Sequence, residues 1–513
     1  MLNPDGVPAR ARRVARVMAL LAWLAAVHPA AFAQTAPRTL SLDEALALAE
    51  KTSERVAIAA AGVSRADAGR ALARSEGLPQ LNASASYDRT LRSEFDGLFE
   101  PPPDDDGGDG VDFSNLPFGQ ANVYRAGLTF SQQLYNGGRI RAERRRAGLR
   151  HDNAVLNLAS AGAQHTLDVA QAFYDAALTD RLVSIAEETY EQADRSLKDT
   201  EEQRAAGRLS EFELLRARVA RDSLQPSVVR ARNGREVAYL RLKQLLDLPL
   251  DQPLALTSDL DQPVLAPPAR FAGRLAAAEA PGPAAPPQPY EGFRVALTQI
   301  GNEVRIADQA VAVARAERWP AIALRSDFGV VNYPESLPEF DDWRQNWTVG
   351  IGLSLPIFNG GRIRANERIA RANAEEARAT LRLSEELAAL DLASTRSDLS
   401  AARVEWETSG STIEQAQRAY EIAELRYREG LSTQLELSDA RLQLAQSLVT
   451  RAEAARNLQV RRIRFALLPE LPLAAVSAED LQAGTAAPQV QPRSQSTPAA
   501  AGPAGIAGAS GGR

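Results

Sequence analysis

Cysteine is absent from all 513 residues, which excludes disulfides, thiol catalysis, thiolate metal sites and a lipid anchor built on an N-terminal cysteine. Imidazole is nearly absent too, with only His28, His151 and His165. The last two stand fourteen positions apart without a carboxylate third partner, so no hydrolytic or metal role is expected of them. No stretch beyond the N-terminus approaches the ~18 consecutive apolar residues with which a helix spans a bilayer. A basic excess is also lacking: the formal charge is −6 and no basic stripe carries interleaved aromatics, which argues against a nucleic-acid partner. What is present suffices for a large core. The chain is 45% hydrophobic and 24% charged, with 6% aromatic residues, values that exclude global disorder.

The N-terminus reads as a secretory signal over residues 1–33. Arg10, Arg12, Arg13 and Arg16 precede an apolar core from Val17 to about Val27, and Ala31-Phe32-Ala33 stands before Gln34. Export without a helical span leaves the periplasm, the exterior or an outer-membrane barrel, and any membrane crossing falls to strands.

Two stretches 223 positions apart are identical: Asn136-Gly137-Gly138-Arg139-Ile140-Arg141-Ala142 and Asn359-Gly360-Gly361-Arg362-Ile363-Arg364-Ala365. The same offset superposes Gly207 on Gly430, Glu213 on Glu436, Leu214 on Leu437, Ala217 on Ala440 and Arg218 on Arg441. A strand followed by a rod of fixed length has been duplicated. Asn-Gly-Gly-Arg is not a phosphate cradle, because it lacks the spacing and the lysine of a P-loop.

From Ser41 the spacing is helical to about Gly77, with Asp43 and Glu44 in the first turn, and Pro79 stops it. Period two follows at about 80–92, with Leu81, Ala83, Ala85 and Tyr87 on one face, and again at about 122–135, with Tyr124, Ala126, Leu128 and Phe130. Between them residues 95–120 form a polar loop. Its Asp104-Asp105-Asp106-Gly107-Gly108-Asp109-Gly110-Val111-Asp112 echoes a calcium-binding nonapeptide, but one imperfect copy is insufficient, and a solvated loop is expected. Helical period then holds from Arg139 to about Ala205, a rod of about 100 Å at 1.5 Å per residue. Val155, Gly162, Val169, Ala176, Val183, Tyr190 and Leu197 recur at sevens along it, which is a coiled-coil seam. Gly207 breaks the rod, and a return helix is expected from about Glu211 to Leu246.

The second half repeats the order. A helix from about Phe293 ends at Pro320, strands follow at about 321–331 and 346–358, and a rod runs from Arg362 to about Arg428 with Leu392, Leu399, Trp406, Ile413, Tyr420 and Tyr427 at sevens. The expected organisation is thus signal 1–33, first repeat 34–258, Pro/Ala-rich connector 259–289, second repeat 290–473 and an Ala/Gly/Pro/Ser/Gln-rich tail 474–513 that reads as disordered. Connector and tail could both be shortened at little cost.

Each of the four strands can cross a bilayer when tilted, and each has a greasy and a polar face. Four strands cannot enclose a lumen, and free edges would carry unpaired amides into lipid, so several copies must share one barrel. Tyr124, Tyr135, Trp343, Trp347 and Phe358 near strand ends suit interfacial belts or ordinary strand packing equally. Arg144, Arg145 and Arg146, below the first junction, could meet lipid headgroups or simply solvate the helix.

In this order of elements, with Tyr135/Phe358-Asn-Gly-Gly-Arg junctions and glycine tips, the chain to about Leu473 resembles the TolC-like outer-membrane efflux proteins. The resemblance implies an internally duplicated α+β membrane protein: long antiparallel coiled-coil hairpins plus four transmembrane strands per protomer, closing as a homotrimeric twelve-stranded β-barrel with an α-helical periplasmic tunnel. It implies an outer-membrane exit duct of a tripartite efflux or type I secretion system. Its partners would be a periplasmic adaptor, an inner-membrane transporter reached through that adaptor, and outer-membrane lipid. No enzymatic activity, cofactor or metal is expected. It also implies that Glu436 and Asp439 face the tunnel axis, where three copies would form a negative ring that favours cations; otherwise they are two solvated acids. Tyr427 and Glu213 match the aromatic and acidic partners of a gating link between hairpins. Ser432 stands where the family pattern has an arginine, and Arg208 is the substitute considered. Gly207, Leu209, Ser210, Gly430, Leu431, Ser432 and Thr433 would dock the adaptor's hairpins, or are plain turns. The reading from another class is a soluble periplasmic coiled-coil scaffold without a pore.

Overall fold

A computed structural model describes residues 38–92, 122–258, 260, 262, 265–275, 294–334 and 343–473. The signal segment, the acidic loop with its calcium-like run, most of the connector and the tail from 474 lie outside the described residues. Among those described, no helix is long and apolar enough to cross a membrane.

Strand β1 (Arg38–Leu40) pairs in parallel with β4 (Leu254–Leu256) and leads into α1 (Leu42–Thr52). Ser41 and Glu44 form a capping box: the Ser41 hydroxyl accepts from the Glu44 amide at 3.4 Å, and the Glu44 carboxylate accepts from the Ser41 amide at 2.9 Å. The Ser41 amide, and the Ser41 hydroxyl at 3.0 Å, both donate to the Glu44 carboxylate and hold it below the ordinary carboxylate range. The single helix expected from Ser41 to Gly77 is two. Ser53 is extended at φ −73°, ψ 116°, and its hydroxyl accepts from the Val56 amide, opening α2 (Glu54–Ser75). Serine competes with the helix for its own backbone, and here it wins.

The sheet runs β2 (Gln80–Arg89), β3 (Asn122–Asn136), β5 (Ala321–Asn332) and β6 (Arg344–Ser354), antiparallel throughout and in that spatial order. Its register stacks the apolar face: Leu81 opposes Phe130, Leu128 opposes Phe328, Phe328 opposes Trp347 and Ile322 opposes Leu353. Ser326 is polar on that face, and its hydroxyl accepts from the Trp347 indole at 2.9 Å. Across the other face Arg125 pairs with Asp88 at 2.6 Å. A bulge between Gln133 and Tyr135 shifts the alternation by one, so Tyr135 joins the apolar face opposite Ile322. The last strand stops at Ser354 rather than near 358, because its partner β5 begins at Ala321, opposite Ser354, and Pro356 beyond has no amide to donate to a ladder.

From the sheet descend α3 (Arg139–Ala205) and α6 (Arg362–Arg428), each of 67 residues. Each folds back, α3 onto α4 (Glu211–Leu245) and α6 onto α7 (Gln434–Leu467); α5 (Val295–Ala316) leads up to β5. In α6 the buried or half-buried Thr395, Leu399, Ala402, Trp406, Ser409, Ile413, Ala416, Tyr420, Ala423 and Tyr427 alternate steps of four and three. That is a complete seam in which large residues alternate with small ones along one helix. The principal core lies midway along the rods, where Leu46, Phe173, Tyr174, Leu242, Leu246, Leu458 and Ile463 pack from α1, α3, α4 and α7.

Part of the supposed connector belongs to this core. Leu265, Phe271 and Leu275 are 3% exposed or less, and the side chains of Arg462 and Gln459 donate to the Leu265 and Ala266 carbonyls at 2.8 and 2.9 Å. Composition marked the segment as linker, but its few large apolar residues anchor it.

Candidate functional site

The two junctions between sheet and rod are built alike. Gly137 and Gly138 have φ of +64° and +89°, Gly360 and Gly361 of +60° and +87°, a left-handed region that side chains enter at a cost. The second glycine of each pair starts the helix without a side-chain cap. The first junction is the tighter: a Cβ on Gly137 would lie 2.7 Å from the Ala316 carbonyl oxygen, whereas one on Gly360 meets nothing. The Asn136 side chain accepts from the Ile140 amide at 3.4 Å; at the second junction the Asn359 carbonyl accepts from the Arg362 amide at 3.1 Å.

At the far end each hairpin turns on one glycine, Gly207 at φ +75° and Gly430 at +73°. The Arg208 amide donates to the Gln203 carbonyl at 2.9 Å and the Leu431 amide to the Arg426 carbonyl at 2.8 Å, a closure that satisfies orphan carbonyls at a helix end. Ser210 and Thr433 then cap the outgoing helices, their hydroxyls accepting from the Glu213 and Glu436 amides, both at 3.4 Å. Leu209 is half-buried and Leu431 exposed.

Side chains at matched positions have different surroundings. Glu436 is exposed, 4.0 Å from the Arg426 guanidinium, and Asp439, three positions on, is exposed as well. Glu213 is half-buried, and its Oε2 has no hydrogen-bond partner among the described residues; neither has the buried Ser432 hydroxyl. Tyr427 is 5% exposed. Its hydroxyl lies 2.8 Å from the Thr200 hydroxyl. Thr200 has one proton to give, and it goes to the Ser196 carbonyl at 2.7 Å. Tyr427 is therefore the donor, and the bond ties the end of α3 to the second hairpin. Burial holds the Tyr427 phenol above its ordinary pKa, and the nearby Glu213 carboxylate adds to that.

The structure thus brings Tyr427 and Glu213 into one neighbourhood but gives Tyr427 a different hydrogen-bond partner, Thr200. Arg208 is exposed. The cation buried at this level is Arg441, 3% exposed, whose Nε and one terminal nitrogen lack partners among the described residues. Burial pulls its pKa down, opposed by Tyr420 and Glu424. Sequence reasoning had matched Arg441 only with Arg218, which is half-exposed and pairs with Glu201 at 3.3 Å. The missed signal was its place on the buried stripe Leu437, Arg441, Leu444 of α7. No grouping of His, Asp and Glu among the described residues could hold a metal ion.

The family model described as outer membrane efflux protein matches residues 45–247 and 294–468. The chain is 26% identical over 416 residues to the pyoverdine export outer membrane protein OpmQ of Pseudomonas putida, covering 79% of this chain and 80% of that one. It is 24% identical over 471 residues to nodulation protein T of Rhizobium leguminosarum, covering 90% and 84%. Among solved structures, the CmeC outer membrane channel of Campylobacter jejuni superposes with a TM-score of 0.67 at 18% identity, over 86% of this chain and 88% of that one. The outer membrane protein VceC of Vibrio cholerae gives 0.64 at 18% identity, over 83% and 96%.

Proposed function

The chain belongs to the outer membrane efflux protein family, and from that membership we propose that it is a passive exit duct: a homotrimer whose sheets close one barrel in the outer membrane and whose rods form a tunnel toward the cell. The observation that carries this reading is the sheet itself. On β6, Trp347, Val349, Ile351 and Leu353 are each 66–71% exposed, and both outer strands, β2 and β6, have an edge without a partner among the described residues. Lipid covers the first, and neighbouring protomers pair the second. A soluble scaffold would leave both in water.

Substrates reach this duct from an inner-membrane transporter through a periplasmic adaptor that docks on the tips around Gly207 and Gly430, where Leu431 offers exposed apolar surface. Leu431→Ser weakens co-purification of the adaptor if that surface is the dock; unchanged recovery removes the assignment. Three copies each of Glu436 and Asp439 ring the tunnel mouth. Tyr427, Glu213 and Arg441 form the polar link that keeps the mouth narrow, with Arg441 in the part considered for Arg208.

Planar-bilayer recording tests the ring and the link together. Glu436→Gln/Asp439→Asn lowers the preference for cations, and Arg441→Ala raises the open fraction. Selectivity unchanged in the first variant removes the ring, and gating unchanged in the second removes the link.

A further inference from the structure

Below the apolar face of the sheet lies a band of exposed arginines. Arg139-Ile140-Arg141 opens α3 and Arg362-Ile363-Arg364 opens α6, and neither helix has an acidic residue in its first turn. Cations at a helix start oppose its partial positive charge, so the chain accepts the same electrostatic penalty in both halves. The first ten residues of the two rods hold nine arginines against two glutamates; the next ten of each hold two arginines against three acids. The excess is therefore confined to the roughly 15 Å of helix nearest the sheet, in a chain whose formal charge is −6.

The acids there are already engaged. Glu143 takes Arg146 at 2.8 Å, and Glu367, its side chain 3% exposed, is shared by Arg315, Arg318 and Arg371. Arg362 reaches Glu317 at 3.3 Å. Arg139, Arg141, Arg364 and Arg368 are exposed and have no ion-pair or hydrogen-bond partner among the described residues. A second observation places this band at a membrane boundary. At the same edge of the sheet Trp319 is 60% exposed, Tyr135 44%, Phe358 90% and Ile357 94%, and amphipathic aromatics concentrate where hydrocarbon meets headgroups.

We propose that this collar binds the anionic headgroups of phospholipids, phosphatidylglycerol or cardiolipin, in the leaflet of the outer membrane nearest the helices. Guanidinium groups pair with phosphate oxygens in bidentate fashion, and a basic cluster immediately outside the hydrocarbon is the arrangement that draws anionic lipid. Continuity with the exposed apolar band favours lipid over a protein partner. The assignment rests on the barrel reading above.

Electron spin resonance on the whole protein, reconstituted in phosphatidylcholine vesicles with a trace of acyl-chain spin-labelled lipid, tests it. The motionally restricted layer prefers labelled phosphatidylglycerol over labelled phosphatidylcholine by about threefold or more at low salt. In 1 M NaCl, where screening shortens to about 3 Å, the preference falls toward parity. It also falls in Arg139→Gln/Arg141→Gln/Arg364→Gln/Arg368→Gln, whose trimer content is checked in parallel; should that variant not assemble, the salt titration of the wild type decides alone. Equal restriction of the two lipids by wild-type protein overturns the collar and leaves the barrel standing, as does a preference unmoved by salt. A protein that restricts neither lipid overturns both.

Discussion

Single residues at the two junctions should respond unequally to the same change. Gly137→Ala and Gly360→Ala both place a side chain at positive φ, a strain of about 1 kcal/mol. Only at Gly137 does the new methyl group also meet neighbouring atoms, the Ala316 carbonyl oxygen at 2.7 Å and the Trp319 Cβ at 2.8 Å, which adds about 1–3 kcal/mol. Thermal unfolding followed by circular dichroism should therefore show the larger loss for Gly137→Ala; equal losses contradict the packed first junction. His165 offers a second test. It is 5% exposed, and neither ring nitrogen has a side-chain partner among the described residues. Burial, the largest influence, lowers its pKa from 6.5, with Asp168 opposing. Because the unfolded chain takes up the proton first, stability is full above pH 6.5 and declines as pH falls from there to the lowered value. His165→Leu should flatten that decline between pH 7.5 and 5.5, and an unaltered slope would assign it to other groups.

Among the elements, the rods were the most legible and the short segments the least. Both 67-residue helices could be read with their ends approximately placed, because a glycine pair and a glycine tip bracket an unbroken helical period. The strands were legible by alternation, but the shift at Leu134 was not, since a bulge leaves no mark on composition. Ser53 could be read either as a helix interior or as a cap, and only the packing of α1 and α2 decides. The connector misled because proline and alanine dominate it, while Phe271 and Leu275 do the anchoring. Of the tip residues the two glycines, Glu213, Glu436 and Arg441 could be aligned by the duplication, but the burial of Arg441 could not be read, because an arginine on a buried stripe contradicts the pattern that locates cores. The seam between α6 and α7 yields an element-scale prediction. Leu444 is 4% exposed in the cluster with Tyr420, Tyr427 and Leu437, and Leu444→Ala should cost about 2–5 kcal/mol. The exposed Leu442→Ala on the same helix should leave stability within about 0.5 kcal/mol. Hydrogen exchange of the α7 amides separates the two; similar protection in both variants would contradict the seam.

For the whole molecule, one incompatibility governs the account: the sheet has an apolar face that water does not tolerate and two edges that lipid does not tolerate. Neither rod relieves this, since both leave from the base of the sheet. The proposed trimer relieves it by joining β2 of one protomer to β6 of the next around a closed wall. The duplicated hairpins then surround a common axis, and a collar of arginines marks the boundary between membrane and tunnel. The mass of the conducting species, measured by light scattering with detergent subtracted and matched to bilayer recordings of the same chromatographic fraction, tests this most directly. Three chains per conducting particle is the expected result, and a single chain that inserts and conducts would contradict it.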